Sequence, residues 1–302
     1  MKREKTIMEN TLNLTRILIS GKNSYIGQAA ATWLKQWPNL YAVDFIGTRN
    51  NEWQEISFAG YDVVLHVAGI AHQDTKADQE ALYYSVNRDL TIAIAEKAKN
   101  DGVKQFIFLS SMIVYGASSN FNEDKIITKE TVPMPVNFYG KSKLQAEEGI
   151  LKMQTEKFNV AVIRPPMIYG KNSKGNYPIM AKFAKKLPLF PDIKNRRSML
   201  YIDNLTEFIR LIIKNNEQGI YFPQNAEYVT TSNMVKVISD SANKKIILTK
   251  IFNPIIGLLG RKITLINKIF GNSAYDLSMS IYKENYRVSD FKESIRLSEN
   301  KK

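Results

Sequence analysis

The run Thr15-Arg16-Ile17-Leu18-Ile19-Ser20 breaks at once into Gly21-Lys22-Asn23-Ser24-Tyr25-Ile26-Gly27, and a helix-forming stretch follows through Trp33 to about Gln36. A short buried strand, a glycine-bounded turn and a helix make a phosphate cradle. The small residues let backbone approach a pyrophosphate, and the first helical turn offers amides without intrahelical partners. Ser24 stands where such turns usually carry their central glycine, so the tight position keeps a small residue. This opening commits the chain to a strand whose continuation must cross over to a parallel neighbour.

The rest of the first half repeats the alternation. Leu40 to Ile46 reads as a second strand and Tyr61 to Gly69 as a third, the latter running into Ala68-Gly69, where a flat ring could lie against backbone. A long helix is expected from about Asp78 to Asn100 with Asn87 in its middle, then a strand from Lys104 to Leu109 that opens onto Ser110-Ser111. Phe158 to Arg164 is a fifth strand, stopped by Pro165-Pro166 before Met167-Ile168-Tyr169-Gly170. Strands alternating with helices predict an α/β fold with a parallel sheet and ligands at the carboxyl ends of its strands. A serine hydroxyl at that edge can hold a substrate oxygen or simply cap a loop. His66 falls inside an apolar run and is expected to pack rather than to catalyse.

At the end of the second strand an acidic residue suits the ribose hydroxyls of NAD, whereas arginine accommodates the extra phosphate of NADP. The end position is Gly47 with Arg49 two residues on, which tilts the expectation towards NADPH. Asp44 is the acidic alternative if the strand stops early, so NADP or NAD remain open.

Tyr139-Gly140-Lys141-Ser142-Lys143 opens another helical run, expected from Gly140 to Lys157. Residues four apart share a helix face. An ammonium beside a phenol favours the phenolate, moving a tyrosine from about 10 towards the working range of an acid or base. Tyr139 and Lys143 are thus a candidate proton-transfer pair, against the plainer reading of a ring packed on a lysine stem.

Composition narrows the chemistry. The chain has no cysteine and two histidines, His66 and His72, so no thiolate nucleophile is present and a metal site is not expected. The net charge of +13 suits an anionic ligand or surface, but the basic residues are dispersed and no nucleic-acid motif stands out, so no nucleic-acid partner is expected. The most apolar stretch, Ile255 to Phe270, is interrupted by Arg261, Lys262 and Lys268 and is too short for an uninterrupted span. The charged start, Met1 to Lys5, lacks an apolar signal core, and a cytoplasmic location is expected. Pro254 to Phe270 could dock on a membrane surface or pack against the later part of the chain, and both readings stay open.

Taken together, Gly21 to Gly27, Asp62 with Ala68-Gly69, Asn87, Ser110-Ser111 with Val114-Tyr115-Gly116, Tyr139 to Lys143 and Arg164 to Gly170 resemble the extended short-chain dehydrogenase/reductase family of nucleotide-sugar epimerases, dehydratases and reductases, in family order over roughly residues 15 to 220. The resemblance implies a Rossmann-type, doubly wound parallel sheet forming an NAD(P)-binding domain over 14–170 plus about 197–222, and a smaller C-terminal nucleotide-sugar domain over 171–196 plus about 223–302. It implies that Tyr139 is the acid/base, that Lys143 tunes it and bonds the nicotinamide ribose, and that Ser111 holds the reacting sugar oxygen. By the same likeness Gly21, Ser24, Tyr25, Ile26, Gly27, Arg49, Asp62, Ala68, Gly69, Asn87, Ser110 and Pro166 line the cofactor, with Asp62 on the adenine. Arg197 and Asn176 meet the substrate, the arginine at its diphosphate.

The branch of the family narrows by one absence. Dehydratases of this kind follow the serine or threonine with an Asp-Glu pair, and Met112-Ile113 cannot do that work. Two reactions at C4 of a UDP-sugar remain. One is NADPH reduction of a 4-keto-6-deoxy sugar, favoured by Arg49 and by the likeness of Lys174-Gly175-Asn176 and Asn195-Arg196-Arg197-Ser198 to surface-polysaccharide enzymes; the other is 4-epimerisation on bound NAD. A non-catalytic NAD(P)-sensing or RNA-binding relative is the reading from another class, and it sits poorly with the retention of both Tyr139 and Lys143. Homodimers are common in the family, and no residue pattern here specifies an interface.

Overall fold

A computed structural model describes residues 14–71, 77–116, 126–260 and 264–300. His72, Arg261 and Lys262 lie outside them. The described elements are β1 (Thr15–Ser20), α1 (Tyr25–Leu34), β2 (Tyr41–Ile46), β3 (Val63–His66), α2 (Glu80–Tyr84), α3 (Leu90–Asn100), β4 (Gln105–Leu109), β5 (Ile126–Ile127), α4 (Phe138–Leu151), β6 (Asn159–Ile163), β7 (Met167–Tyr169), α5 (Asn176–Lys186), β8 (Leu189–Pro191), β9 (Met199–Tyr201), α6 (Ile202–Lys214), β10 (Gly219–Tyr221), α7 (Thr231–Ser241), β11 (Ile247–Thr249), α8 (Asn253–Gly260), α9 (Thr264–Phe270), β12 (Ala274–Tyr275) and α10 (Phe291–Glu299).

The central sheet is parallel, in the order β10-β6-β4-β3-β1-β2. The chain leaves β1 to one side for β2 and returns to the other for β3, so the order reverses at β1/β3. That is the switch point at which a doubly wound sheet opens a crevice. Ser20 is level with Ile46 on one side and His66 on the other, which brings Gly21, Gly47 and Val67 to one edge.

Both faces of the sheet are covered, as a parallel sheet requires. On one face Ile17, Ile19, Leu65 and Ile163 pack against α1 and α6; on the other, Val64, Phe106, Phe108 and Val162 pack against α3 and α4. Helix α6 is apolar along most of its circumference because it is sandwiched: Leu205, Phe208, Ile209 and Ile212 are all buried. Truncating Phe208 to alanine would cost about 3–5 kcal/mol of stability. A separate cluster, including Met180, Phe190, Met234, Ile238, Phe270 and Ile295, gathers the later helices α5, α7, α9 and α10.

Two helices depart from their expected form. The stretch expected as one helix over Asp78 to Asn100 runs as α2, a π-helical turn at Ser85–Asp89 and α3. The extra residue in that turn carries Asn87 inwards, where its side chain bonds both the N–H and the C=O of Ile70. Helix α4 starts earlier than expected because Asn137 caps it, accepting from Gly140 N at 2.8 Å. It also stops earlier: its last turn gives way to a bend in which Thr155 and Phe158 bond one another before β6 begins.

Candidate active site

The cradle is built as its sequence requires. Gly21 has φ +105°, and a Cβ there would come within 3.0 Å of Ala68 N. A Cβ on Gly27 would meet Val67 Cγ2 at 3.0 Å, so helix, turn and β3 close against one another only with glycine at both places. Ser24 caps α1, its Oγ accepting from Gly27 N at 3.3 Å. Tyr25 and Ile26 contribute backbone to this first turn, while their side chains turn to the hydrophobic clusters. The Tyr25 phenol is buried without a hydrogen-bond partner in the described residues; a Cβ on Gly170 would lie 2.7 Å from it, and burial pushes it above its usual value.

Behind the cradle runs a neutral polar chain. His66 is fully buried between Phe106 and Phe108. Thr91 Oγ1 donates to Asn87 O at 2.8 Å, so it accepts from His66 Nε2 at 3.0 Å, and His66 Nδ1 takes the Ser20 hydroxyl at 2.6 Å. Burial first, and the Lys143 charge second, push the imidazole down to about 3, so it stays neutral. His66 is the packed residue expected of it, and it links the strand end before the cradle to the π turn.

Gly69, Asn87 and Lys143 meet. A Cβ on Gly69 would stand 3.0 Å from Asn87 Oδ1 and 3.3 Å from Lys143 Nζ. Asn87 Nδ2 also bonds Ser142 Oγ, whose hydroxyl donates to Tyr139 O. Lys143 Nζ donates to Leu109 O at 2.8 Å and lies 4.4 Å from the Phe108 ring centroid. Burial pushes it down to about 7, with the Glu147 carboxylate opposing.

Tyr139 is one turn before Lys143 on α4, with the Ser111 side chain beside its phenol. Ser111 Oγ accepts from Ile113 N at 3.2 Å, which fixes it as the cap of a 3₁₀ turn at Met112–Tyr115. The lowering expected of the phenol is reversed: burial raises it, with the Ser111 side chain opposing, while the Lys143 ammonium donates to Leu109 O.

Two expected cofactor contacts are corrected. Asp62 precedes β3 at the amino edge of the sheet, where it accepts from Arg16 N at 2.9 Å and pairs with Lys104 Nζ at 2.9 Å. The length of β3 separates it from the cradle, roughly 13 Å at about 3.3 Å per residue. Ser110 turns its hydroxyl away from the crevice, into a bond with Glu147. The Asp44 alternative also weakens: β2 continues two residues past it, and its carboxylate takes the Tyr61 hydroxyl at 2.9 Å. Gly47 and Arg49 follow the strand end, both exposed. Ala68 lies against Gly21, and Pro166 is buried between β6 and β7.

Sequence reasoning missed Glu147. Its carboxylate is buried with Arg164, bonded by Nε at 3.1 Å and by Nη2 at 2.5 Å, and Arg164 Nη1 donates to Tyr115 OH at 2.7 Å. The Tyr275 hydroxyl, from β12, donates to Arg164 O at 3.0 Å. The available signal was a carboxylate one turn beyond Lys143, on the same helix face.

Asn176 begins α5. Arg197 is buried, its Nη1 donating to Ile269 O at 3.1 Å and Gly271 O at 3.2 Å at the end of α9, and burial pushes it down to about 10. Among the described residues no group of His, Asp or Glu could hold a metal ion, and no helix is long and apolar enough to cross a membrane.

A sequence profile of the NAD dependent epimerase/dehydratase family matches residues 17–222. The N-acetyl-alpha-D-glucosaminyl-diphospho-ditrans,octacis-undecaprenol 4-epimerase of Escherichia coli O157:H7 is 31% identical over 243 residues, 78% of this chain and 71% of its own. The UDP-glucose 4-epimerase of Vibrio cholerae is 28% identical, over 74% of this chain and 71% of its own. Among solved structures, the Thermus thermophilus UDP-glucose 4-epimerase in complex with NAD has a TM-score of 0.71 at 19% identity, covering 94% of this chain and 97% of that one.

Proposed function

Because the chain belongs to the NAD dependent epimerase/dehydratase family, we propose that it is an NAD(P)-dependent oxidoreductase acting at C4 of a diphosphate-linked sugar, and that it reduces a UDP-4-keto-6-deoxy-(N-acetyl)hexose at the expense of NADPH. The observation that carries the chemistry is the placement of Tyr139 beside Ser111, one helical turn from a lysine packed against Gly69 and Asn87.

The residues present fit a dinucleotide: Gly21 and Gly69 leave backbone faces that any side chain would fill. The bound nicotinamide supplies the hydride chemistry. The protein's own parts follow from their positions. The α1 amides and the Ser24 cap receive the pyrophosphate. Lys143, held by Leu109 O, offers its remaining ammonium protons to the ribose. Ser111 orients the C4 oxygen, and Tyr139 gives or takes that oxygen's proton. Arg197 is the proposed ligand of the substrate diphosphate, with Asn176 beside the sugar. A phosphate there offsets the cost of burying a guanidinium.

Reduction with NADPH is favoured by Gly47 and Arg49, where an NAD site would carry an acid. Epimerisation on bound NAD is favoured by the activities named for the two curated relatives. The first of these acts on a lipid-linked sugar, and a UDP carrier and a polyprenyl carrier present the same diphosphate. Incubation with NADPH and a UDP-4-keto-6-deoxy-N-acetylhexosamine, followed at about 340 nm, should show stoichiometric oxidation. Tightly bound NAD, no net consumption and interconversion of C4 epimers of a UDP- or polyprenyl-diphosphate sugar would overturn the reductive reading.

A further inference from the structure

Helix α8 and the turn that leads into it carry an apolar stripe that faces away from the protein. Ile251 is 79% exposed, Ile255 59% and Leu258 72%, a spacing of four and then three residues that puts them on one face. Ile256, one position off that stripe, packs inwards against the cluster of α5, α7 and α10 and anchors the helix. Ile247, on the neighbouring β11, is 64% exposed. The sequence around the stripe has one sign of charge: residues 241–275 contain Lys244, Lys245, Lys250, Arg261, Lys262 and Lys268 and no aspartate or glutamate. Lys244, Lys245 and Lys250 are exposed.

An outward apolar stripe beside cations, in an acid-free stretch, is complementary to an anionic lipid surface: the side chains enter the acyl boundary while the ammonium groups meet the phosphates. A protein partner would instead be expected to meet a mixture of charges and satisfied polar groups at its rim. We propose that α8, with Lys244, Lys245 and Lys250, docks the protein peripherally on an anionic bilayer. The α9 end that follows α8 accepts the Arg197 guanidinium at Ile269 O and Gly271 O. Helix α9, which packs on α8, therefore holds the arginine of the proposed diphosphate site.

The test is flotation of the full chain with vesicles of phosphatidylglycerol and phosphatidylcholine, against phosphatidylcholine alone. The protein should float with the anionic vesicles, at least about tenfold more than with the neutral ones. The double variant Ile255→Ser/Leu258→Ser should lose about tenfold or more of that binding. Both side chains are exposed, so its melting temperature should match that of the parent. As a variant that keeps apolar bulk, Leu258→Trp should show a blue-shifted emission on anionic vesicles alone. Equal flotation with both vesicle types, flotation unchanged in the double variant, or a change of oligomeric state in that variant without vesicle binding would each overturn the proposal, the last by assigning the face to a second copy. Turnover of a soluble UDP-sugar, measured in parallel, should be the same for parent and variant, which separates failure of docking from failure of the C4 reading.

Discussion

Replacing Glu147 with glutamine removes one charge from a pair that water does not reach. The Glu147 side chain is 1% exposed and that of Arg164 6%, so the guanidinium left behind would face a neutral amide in a low dielectric. The carboxylate receives three bonds from Arg164 and one from Ser110, and Arg164 in turn donates to Tyr115. Removing one partner of such a pair costs about 3–5 kcal/mol, which in a chain of this size lowers the melting temperature by roughly 5–8 °C. Replacing both partners with apolar residues of similar volume, Glu147→Leu/Arg164→Met, should recover much of the loss, because the buried charge goes with its partner. The same substitution acts on the site. Glu147 holds the Lys143 ammonium up against burial, so without it the lysine deprotonates at a lower pH. An activity that needs the charged lysine falls as pH rises through its pKa, and in Glu147→Gln that fall should move to lower pH. Denaturant titration of Glu147→Gln and of the four proteins of the cycle (parent, Glu147→Leu, Arg164→Met and the double variant), with pH–rate profiles of parent and Glu147→Gln, tests both. A loss below about 1 kcal/mol in the single variant, or additive costs in the double, would refute the account of the pair.

Tyr139→Phe should lose about 10²- to 10⁴-fold in turnover while cofactor binding, measured by fluorescence titration, is retained. Gly69→Ala would bring a methyl to 3.0 Å from Asn87 Oδ1 and 3.3 Å from Lys143 Nζ; cofactor affinity should fall markedly with little change in melting temperature. His66 gives an acid dependence. Its folded pKa of about 3 lies below its unfolded value of 6.5, so between those values the unfolded chain binds the proton and the native one does not. Stability contributed by keeping it neutral is present above pH 6.5 and is lost as pH falls towards 3. In His66→Phe that part of the slope should disappear from urea titrations over this range.

The local code was legible. Five apolar runs, a glycine turn closed by Gly27 and a Tyr-x-x-x-Lys pair are features of neighbouring residues, so periodicity and steric need reveal them without knowledge of what lies across the sheet. Gly21 illustrates it: a positive φ needs glycine wherever the chain then goes. Directions were not legible. Ser110 and Ser111 are consecutive, yet the strand's alternation sends one hydroxyl to Glu147 and leaves the other with Tyr139. Asp62 lies in the right strand region by pattern, but register puts it at the amino edge with Arg16 and Lys104. Lys143 shares a helix face with Tyr139, and only folding brings Leu109 O to its ammonium and buries the phenol. The sequence by itself determined the strand–turn–helix grammar, the parallel class of sheet and which residues could do proton chemistry. Tertiary structure alone decided which polar groups are desolvated together, because burial and pairing depend on residues 17 to 111 positions apart, such as Arg164 with Glu147 and Tyr275 with Arg164.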